Sequence, residues 1–244
     1  MKRLLLNKRG SYLVNFFEGV LRIADGEIPL KELEKKNPGE KIKTHKGVEF
    51  TVVEPSSIDL MGKMKRAAQI ITSKDASLIL GQTGIASDSL IIDVGSGSGF
   101  LAIFLAKYCD KGKVITYERS SDFVDIVKKN VDFMGLKNVV VKERDVLKKF
   151  FDEKAADLVT LDMMGAEKIV KKCHKILKPG GWLVIYSPHI EQVGKVSVEI
   201  ENNDFTQVRT IECIIREWKS DHGYTRPKTK GLMHTGWLTF ARKI

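Results

Sequence analysis

From Leu90 onward the chain repeats one pattern: a short run of β-branched and aliphatic residues, a turn, then apolar residues at helical spacing. Leu90–Ile92, Lys113–Tyr117, Asn138–Val141, Asp157–Leu161 and Trp182–Tyr186 predict strands, apolar enough to be covered on both faces. Leu101, Phe104 and Leu105 recur every three or four positions after the first of them. So do Phe123, Ile126, Val127, Val131 and Met134 after the second, and Ile169, Val170, Cys173, Ile176 and Leu177 after the fourth. These sets predict the intervening helices. Gly135 suits a helix C-cap, and Lys178-Pro179-Gly180-Gly181 reads as a stop and turn. Upstream, Ser73 can cap a helix running through Leu78-Ile79-Leu80 to Gly81. A helix over His189–Glu201 is the last. Thr206–Trp218 and Trp237–Arg242 then predict two long strands joined by a mostly polar connection, Lys219–Gly236. Parallel β/α units closed by a helix-free strand pair predict an α/β fold with a seven-stranded sheet, its last strand running antiparallel into the middle.

Residues 1–62 follow a different pattern. Ser11–Asn15 and Gly47–Val53 are short candidate strands, separated by turn-rich pieces such as Ala24-Asp25-Gly26-Glu27 and Asn37-Pro38-Gly39-Glu40. They predict a small β-rich N-terminal domain over 1–62 and a larger domain over 63–244, with Pro55–Met64 as the connector. Lys35, Lys36, Lys41, Lys43 and Lys46 suit either phosphate contacts or solvated loops.

Composition adds little to the fold and more to the partner. With 43% apolar and 30% charged residues the chain reads as an ordinary soluble protein. No apolar run approaches the roughly 18 residues of a membrane span. The start, MKRLLLNKRG, is too short in apolar residues for a secretory core, so a cytoplasmic location without a membrane is expected. Cys109, Cys173 and Cys213 are odd in number and form no CxxC pair. No disulfide framework or metal site is expected, and buried packing roles suit all three. The net charge of +10 points to a polyanionic partner such as nucleic acid, or equally to a lysine-rich solubilising surface.

The candidate chemistry starts at Asp93, which closes the first strand of the alternating region and precedes Gly95, Gly97 and Gly99. The N–H groups of Ser98, Gly99, Phe100 and Leu101 would face an anion at the start of the next helix. The spacing D-x-G-x-G-x-G differs from the G-x-G-x-x-G loop that cradles a pyrophosphate. A carboxylate inside the loop suits a cationic amino group instead, as on S-adenosyl-L-methionine. Ligands of open α/β sheets bind beyond the carboxyl ends of the strands, and Asp93, Glu118, Asp145 and Asp162 stand at successive ends. Glu118 suits the ribose hydroxyls. Asp145 suits the adenine amino group, with the Val146 N–H for a ring nitrogen. Phe123 suits packing on the adenosine or a place in the core. Asp162 stands where a methyl group would be presented; it suits aligning a substrate amino group and taking its proton, or capping the following helix.

Several motifs resemble the tRNA adenine-N1 methyltransferase family that modifies adenosine 58 of the T-loop, with adenosine 57 a further target in archaeal relatives. The family's Q-I-I-Y-P-K-D appears as Gln69-Ile70-Ile71-Thr72-Ser73-Lys74-Asp75, and its G-x-G-S-G loop as Gly95–Gly99. Its Y-E strand end is Tyr117-Glu118, its L-K-P-G-G turn is Leu177–Gly181, and Tyr186-Ser187-Pro188 follows with Gln192 nearby. Arg226-Pro227 and the long His234–Lys243 signature complete the match. The resemblance implies a class I, Rossmann-like S-adenosylmethionine-dependent methyltransferase acting on tRNA as a homotetramer. It adds Gln69 to the cofactor site, Thr72 as an RNA contact near the target base, and Arg226 and His234 as RNA or subunit contacts. A methyltransferase acting on other RNA, protein or small molecules, or a non-catalytic tRNA-binding subunit, are the alternatives. The chain departs from the family where D-x-P-x-P-W becomes Asp162-Met163-Met164-Gly165-Ala166-Glu167 and where tyrosine becomes Thr72. An aromatic lost beside a base removes stacking worth roughly 1–3 kcal/mol.

Overall fold

The computed structural model describes residues 2–15, 18–66, 70–221 and 223–244. Contacts divide the chain into two units, Met1–Met64 and Lys65–Ile244.

In the first unit, β1 (Lys2–Asn7) and β2 (Gly10–Asn15) form a hairpin. The Asn7 side chain holds its turn by accepting from the N–H groups of Arg9 (2.8 Å) and Gly10 (3.1 Å). A second hairpin, β3 (Val20–Ile23) and β4 (Gly26–Pro29), leads into the short helix α1 (Leu30–Glu34). Strands β5 (Lys41–Lys43) and β6 (Glu49–Val53) complete a four-stranded sheet of order β2-β1-β6-β5. Leu5, Val14, Ile28, Leu33, Phe50 and Val52 form its core. Pro55–Met64 is more than a connector: it contains helix α2 (Ser57–Met61), started by a reciprocal capping box between Ser56 and Asp59. Gly47 lies in a turn at φ +78°, so the strand expected from that point starts at Glu49.

The second unit opens with α3 (Ser73–Thr83). Thr72, not Ser73, is its N-cap, and it runs past Gly81 to a left-handed Gly84. Then follow β7 (Leu90–Val94), α4 (Phe100–Tyr108), β8 (Lys113–Glu118), α5 (Ser121–Met134), β9 (Val139–Glu143) and β10 (Ala156–Leu161). A 3₁₀ turn over Ala166–Ile169 precedes α6 (Val170–Ile176), β11 (Leu177–Ser187), α7 (Ile190–Glu201) and β12 (Phe205–Glu212). The hairpin of β13 (Trp218–Asp221) and β14 (Tyr224–Pro227) precedes the last strand, β15 (Trp237–Lys243).

The main sheet has seven strands in the order β12-β15-β11-β10-β7-β8-β9. β15 is antiparallel to both neighbours, as the helix-free ending predicted. One face of β7 and β8, with Ile92, Val94, Ile115 and Tyr117, shares a core with Val170, Cys173 and Ile176 of α6 and Val196 and Ile200 of α7.

Two expectations are corrected. Lys178–Gly181 does not separate a helix from a strand but lies inside β11. Pairing jumps from Ala156–Leu177 to Leu158–Trp182, so these residues bulge out, with Gly180 at φ +76°. Thr206–Trp218 is not one strand: β12 ends at Glu212, and Ile214 and Ile215 are exposed at 56% and 51%. The mostly polar connection carries most of the β13–β14 hairpin.

Candidate active site

The carboxyl ends of β7, β8, β9, β10 and β11 surround a cavity of about 590 Å³. A smaller recess, lined by Asp93, Gly95–Ser98, Phe100, Leu101 and Asp162, lies against it and shares Gly95, Gly97 and Asp162 with it. The elements converge because β7 is the middle one of the five parallel strands and turns sharply at its end. Gly95 adopts φ +85°, its N–H donates to the Tyr117 carbonyl (2.9 Å), and a Cβ there would collide with the Asp162 carbonyl. The Asp162 N–H donates in turn to the Val94 carbonyl (2.8 Å), which fixes where β10 ends.

Asp93 is almost wholly buried, and its position follows from strand register. It lies opposite Thr116 on β8 and Thr160 on β10, and both hydroxyls donate to its carboxylate (2.6 and 2.8 Å). Burial, opposed by these two hydrogen bonds, pushes its pKa up. Asp93 therefore borders the recess with both oxygens already engaged. Glu118 is oriented by backbone donors: the N–H groups of Arg119 (2.9 Å) and Ser120 (3.0 Å) reach Oε1, and that of Gly97 (3.1 Å) reaches Oε2. Asp145 accepts from the Leu147 N–H (3.0 Å) and lines the cavity with Val146 and Phe123. Phe123 is half-buried and lines the cavity.

Asp162 lines both spaces. Its carboxylate has no hydrogen-bond partner among the described residues, and Gly165, not Asp162, caps the following 3₁₀ turn. Burial, with Asp93 and Glu118 nearby, pushes its pKa up to about 7. Ser98, Phe100 and Leu101 border the recess rather than the large cavity. Of the N–H groups expected to face an anion, that of Gly99 is already taken by the Ser96 carbonyl (2.7 Å), so Gly99 shapes the start of α4 and lines neither space. Gln69 lies outside the described residues.

Beyond Asp162 the wall consists of Met163, Met164, Tyr186, Pro188 and Gln192. The Tyr186 hydroxyl donates to the Thr235 carbonyl, and a Cβ on Gly236 would stand 2.6 Å from its ring. Burial, together with Asp75 and Asp162, pushes the phenol up to about 12. Behind this wall Lys74 is buried, its ammonium bound to Asp75 Oδ1 (2.7 Å), Thr235 Oγ1 (2.7 Å) and the Cys213 carbonyl (2.6 Å). Asp75 Oδ2 also accepts from Thr72 (2.8 Å) and Thr235 (2.9 Å).

Comparison with known proteins agrees with this layout. Residues 60–224 match the family described as tRNA methyltransferase complex GCD14 subunit. The chain is 32% identical to the tRNA (adenine(57)-N(1)/adenine(58)-N(1))-methyltransferase TrmI of Methanocaldococcus jannaschii, over 98% of this chain and 94% of that one. The chain belongs to the GCD14 tRNA methyltransferase family. Among solved structures, a SAM-dependent O-methyltransferase from Thermotoga maritima matches with a TM-score of 0.91 and 32% identity, covering 100% of this chain and 92% of the other. The tRNA (m1A58) methyltransferase TrmI from Aquifex aeolicus matches with a TM-score of 0.84 and 25% identity, covering 100% and 97%. The seven-stranded sheet is thus that of a class I methyltransferase.

In this member of the GCD14 family the three RNA candidates lie in three different places. Thr72 caps α3 and borders a separate pocket of about 430 Å³ with Arg66, Phe100 and Leu232. Arg226 lies on the exposed β13–β14 hairpin, paired in register with Lys219. His234 Nδ1 lies 2.6 Å from Glu212 Oε1, and its ring is 4.4 Å from that of Trp237; the Glu212 carboxylate raises its pKa. None of them lines the large cavity. Residue-by-residue reasoning missed Tyr186, Gln192, Lys74, Asp75 and Thr235 as site residues. All five lie inside the signatures quoted above, and that was the available signal. Among the described residues there is no helix long and apolar enough to cross a membrane, no cluster that could hold a metal ion, and no disulfide. Cys109 and Cys173 are buried, whereas Cys213 is only half-buried.

Proposed function

We propose that this protein transfers a methyl group from S-adenosyl-L-methionine to N1 of an adenosine in the tRNA T-loop, at position 58 and, as the archaeal relative is named for, 57. The observation that carries the reading is Asp162: a carboxylate unpartnered among the described residues, standing between the recess and the large cavity. The lining fits the donor. The recess holds two carboxylates and no basic side chain, which favours an ammonium and disfavours a pyrophosphate. Glu118 faces the cavity beside Phe123, Asp145 and Val146, in reach of an adenosine.

When bound, S-adenosylmethionine supplies a methyl group already activated by its sulfonium. Asp162 accepts a hydrogen bond from the N6 amino group of the target adenine, holds N1 in line and takes up the proton released from N6. Met163 and Tyr186 on the cavity wall keep water from the reacting atoms. Met164, 80% exposed on the cavity wall, offers a thioether to the base in a segment where the family's tryptophan position is Glu167.

Glu118→Ala is expected to weaken S-adenosylmethionine binding about 10- to 100-fold, the range for losing hydrogen bonds to a charged group. Titration calorimetry checks this, and an unchanged affinity removes Glu118 from the site.

The same reading includes a homo-oligomer, a tetramer by resemblance, working in the cytoplasm. Trp218 and Tyr224 on the β13–β14 hairpin are exposed apolar surface suited to a second copy. The second reading, transfer to an oxygen of another acceptor, is favoured by the likeness to the Thermotoga maritima protein, which is described as an O-methyltransferase. Mapping methylated positions on transcribed tRNA with labelled donor decides between them. 1-Methyladenosine in the T-loop supports the first, and incorporation into protein or small molecules alone overturns it.

A further inference from the structure

Gln192 lies in the first turn of α7 and lines the large cavity beside Asp162, Tyr186 and Pro188. Its amide oxygen Oε1 is buried and has no hydrogen-bond partner among the described residues. Arg3 and Asn15, the other residues with such an atom, belong to the first unit. A buried acceptor left unpaired on a cavity wall carries a cost that nothing in the protein returns, and a ligand donor would offset it.

The order of the sheet says which ligand. Asp145 follows β9, Glu118 ends β8, the glycine loop follows β7, Asp162 follows β10, and Gln192 follows β11. At about 4.8 Å per strand, β11 lies one step from β10 and about 14 Å from β8. Gln192 therefore stands on the acceptor side of Asp162, out of reach of an adenosine held by Glu118.

We infer that Gln192 reads the base to be methylated, its Oε1 accepting one N6–H of the target adenine while Asp162 accepts the other. The inference rests on the adenine-N1 reading above. The amide oxygen alone does the reading: it accepts from the 6-amino group of adenine and leaves the N1 lone pair free for the methyl group. Guanine presents a carbonyl oxygen and a protonated N1 at those positions, so Oε1 would face another acceptor.

The test uses the full-length protein as wild type and Gln192→Leu. The substrates are two tRNAs carrying either adenosine or purine riboside, which lacks the 6-amino group, at the position the wild type methylates. Gln192→Leu is expected to weaken binding of the adenosine tRNA by about tenfold or more and that of the purine tRNA by less than about twofold; affinity is the readout because purine riboside has no N6 proton to give up on transfer. Donor affinity by calorimetry is expected to stay at the wild-type value, and the melting temperature to hold or rise, since the variant removes the unpaired acceptor. An equal loss on both tRNAs, or weakened donor binding, overturns the inference alone. A wild type that methylates no adenosine N1 overturns it together with the reading beneath it.

Discussion

Asp162→Asn is expected to slow methyl transfer by about two to four orders of magnitude, the range for a positioned general base, while S-adenosylmethionine still binds. The asparagine keeps the shape and the backbone bond from residue 162 to Val94 but can no longer take a proton. The wild type should also show a pH dependence that the variant lacks. The carboxyl titrates near 7, and only its ionised form accepts, so activity should rise with pH through about 7 and level off above it. The sulfonium of a bound donor favours the ionised form, so the midpoint in kcat should lie below that in kcat/KM. Stability should move the other way. Between the ordinary carboxyl value of 3.8 and about 7, the folded chain keeps a proton that the unfolded chain has released. Folding is therefore progressively disfavoured as pH rises through that window. Above it, the ionised Asp162 costs on the order of a few kcal/mol, one pKa unit being about 1.4 kcal/mol. Asp162→Asn should therefore melt higher than the wild type at pH 8 and match it near pH 4. A variant that is inactive and also less stable at pH 8 would make Asp162 a structural residue.

Asp75→Ala should destabilise the protein by about 3–5 kcal/mol, because it leaves the Lys74 ammonium buried without its counter-charge. Two threonine hydroxyls, Thr72 and Thr235, lose their acceptor in the same step. The double variant Lys74→Met/Asp75→Leu should recover most of that loss, since it removes both charges and fills the space. Urea unfolding of the three proteins measures both effects; a loss under about 1 kcal/mol in the single variant would show that the cluster bears little of the fold's stability. Activity should fall in all the variants, because Thr235 anchors the Tyr186 hydroxyl on the cavity wall.

The β/α alternation was legible because β7, β8, β10 and β11 are covered on both faces, which writes largely apolar runs; β9, at the edge and only half-buried, keeps one as well. The antiparallel ending was legible from the missing helix after Glu201. Edge and connecting segments were not. Ile211, Ile214 and Ile215 look like one strand in sequence, but β12 is the outermost strand, where alternation no longer distinguishes a buried face from an exposed one. The acidic residues at the strand ends were visible one by one. That Thr116 and Thr160 both clasp Asp93 depends on register across three strands, which no local pattern encodes. The same holds for Lys74 and Thr235, 161 positions apart, whose motifs lie side by side in the fold. Gly99 shows the converse: its motif was clear, yet its N–H serves the loop and not a ligand.

The placement of β15 between β11 and β12 also sets a timetable for synthesis. When Ser187 leaves the ribosome, the row of amides along β11 has no neighbour on one side, and its partner lies about 50 residues further on. At about 5–20 residues per second that exposed hydrogen-bonding row waits roughly 3–10 s for Trp237–Lys243 to arrive. The nascent chain is most vulnerable to intermolecular strand addition in that interval, and a chaperone that shields unpaired strands would act then.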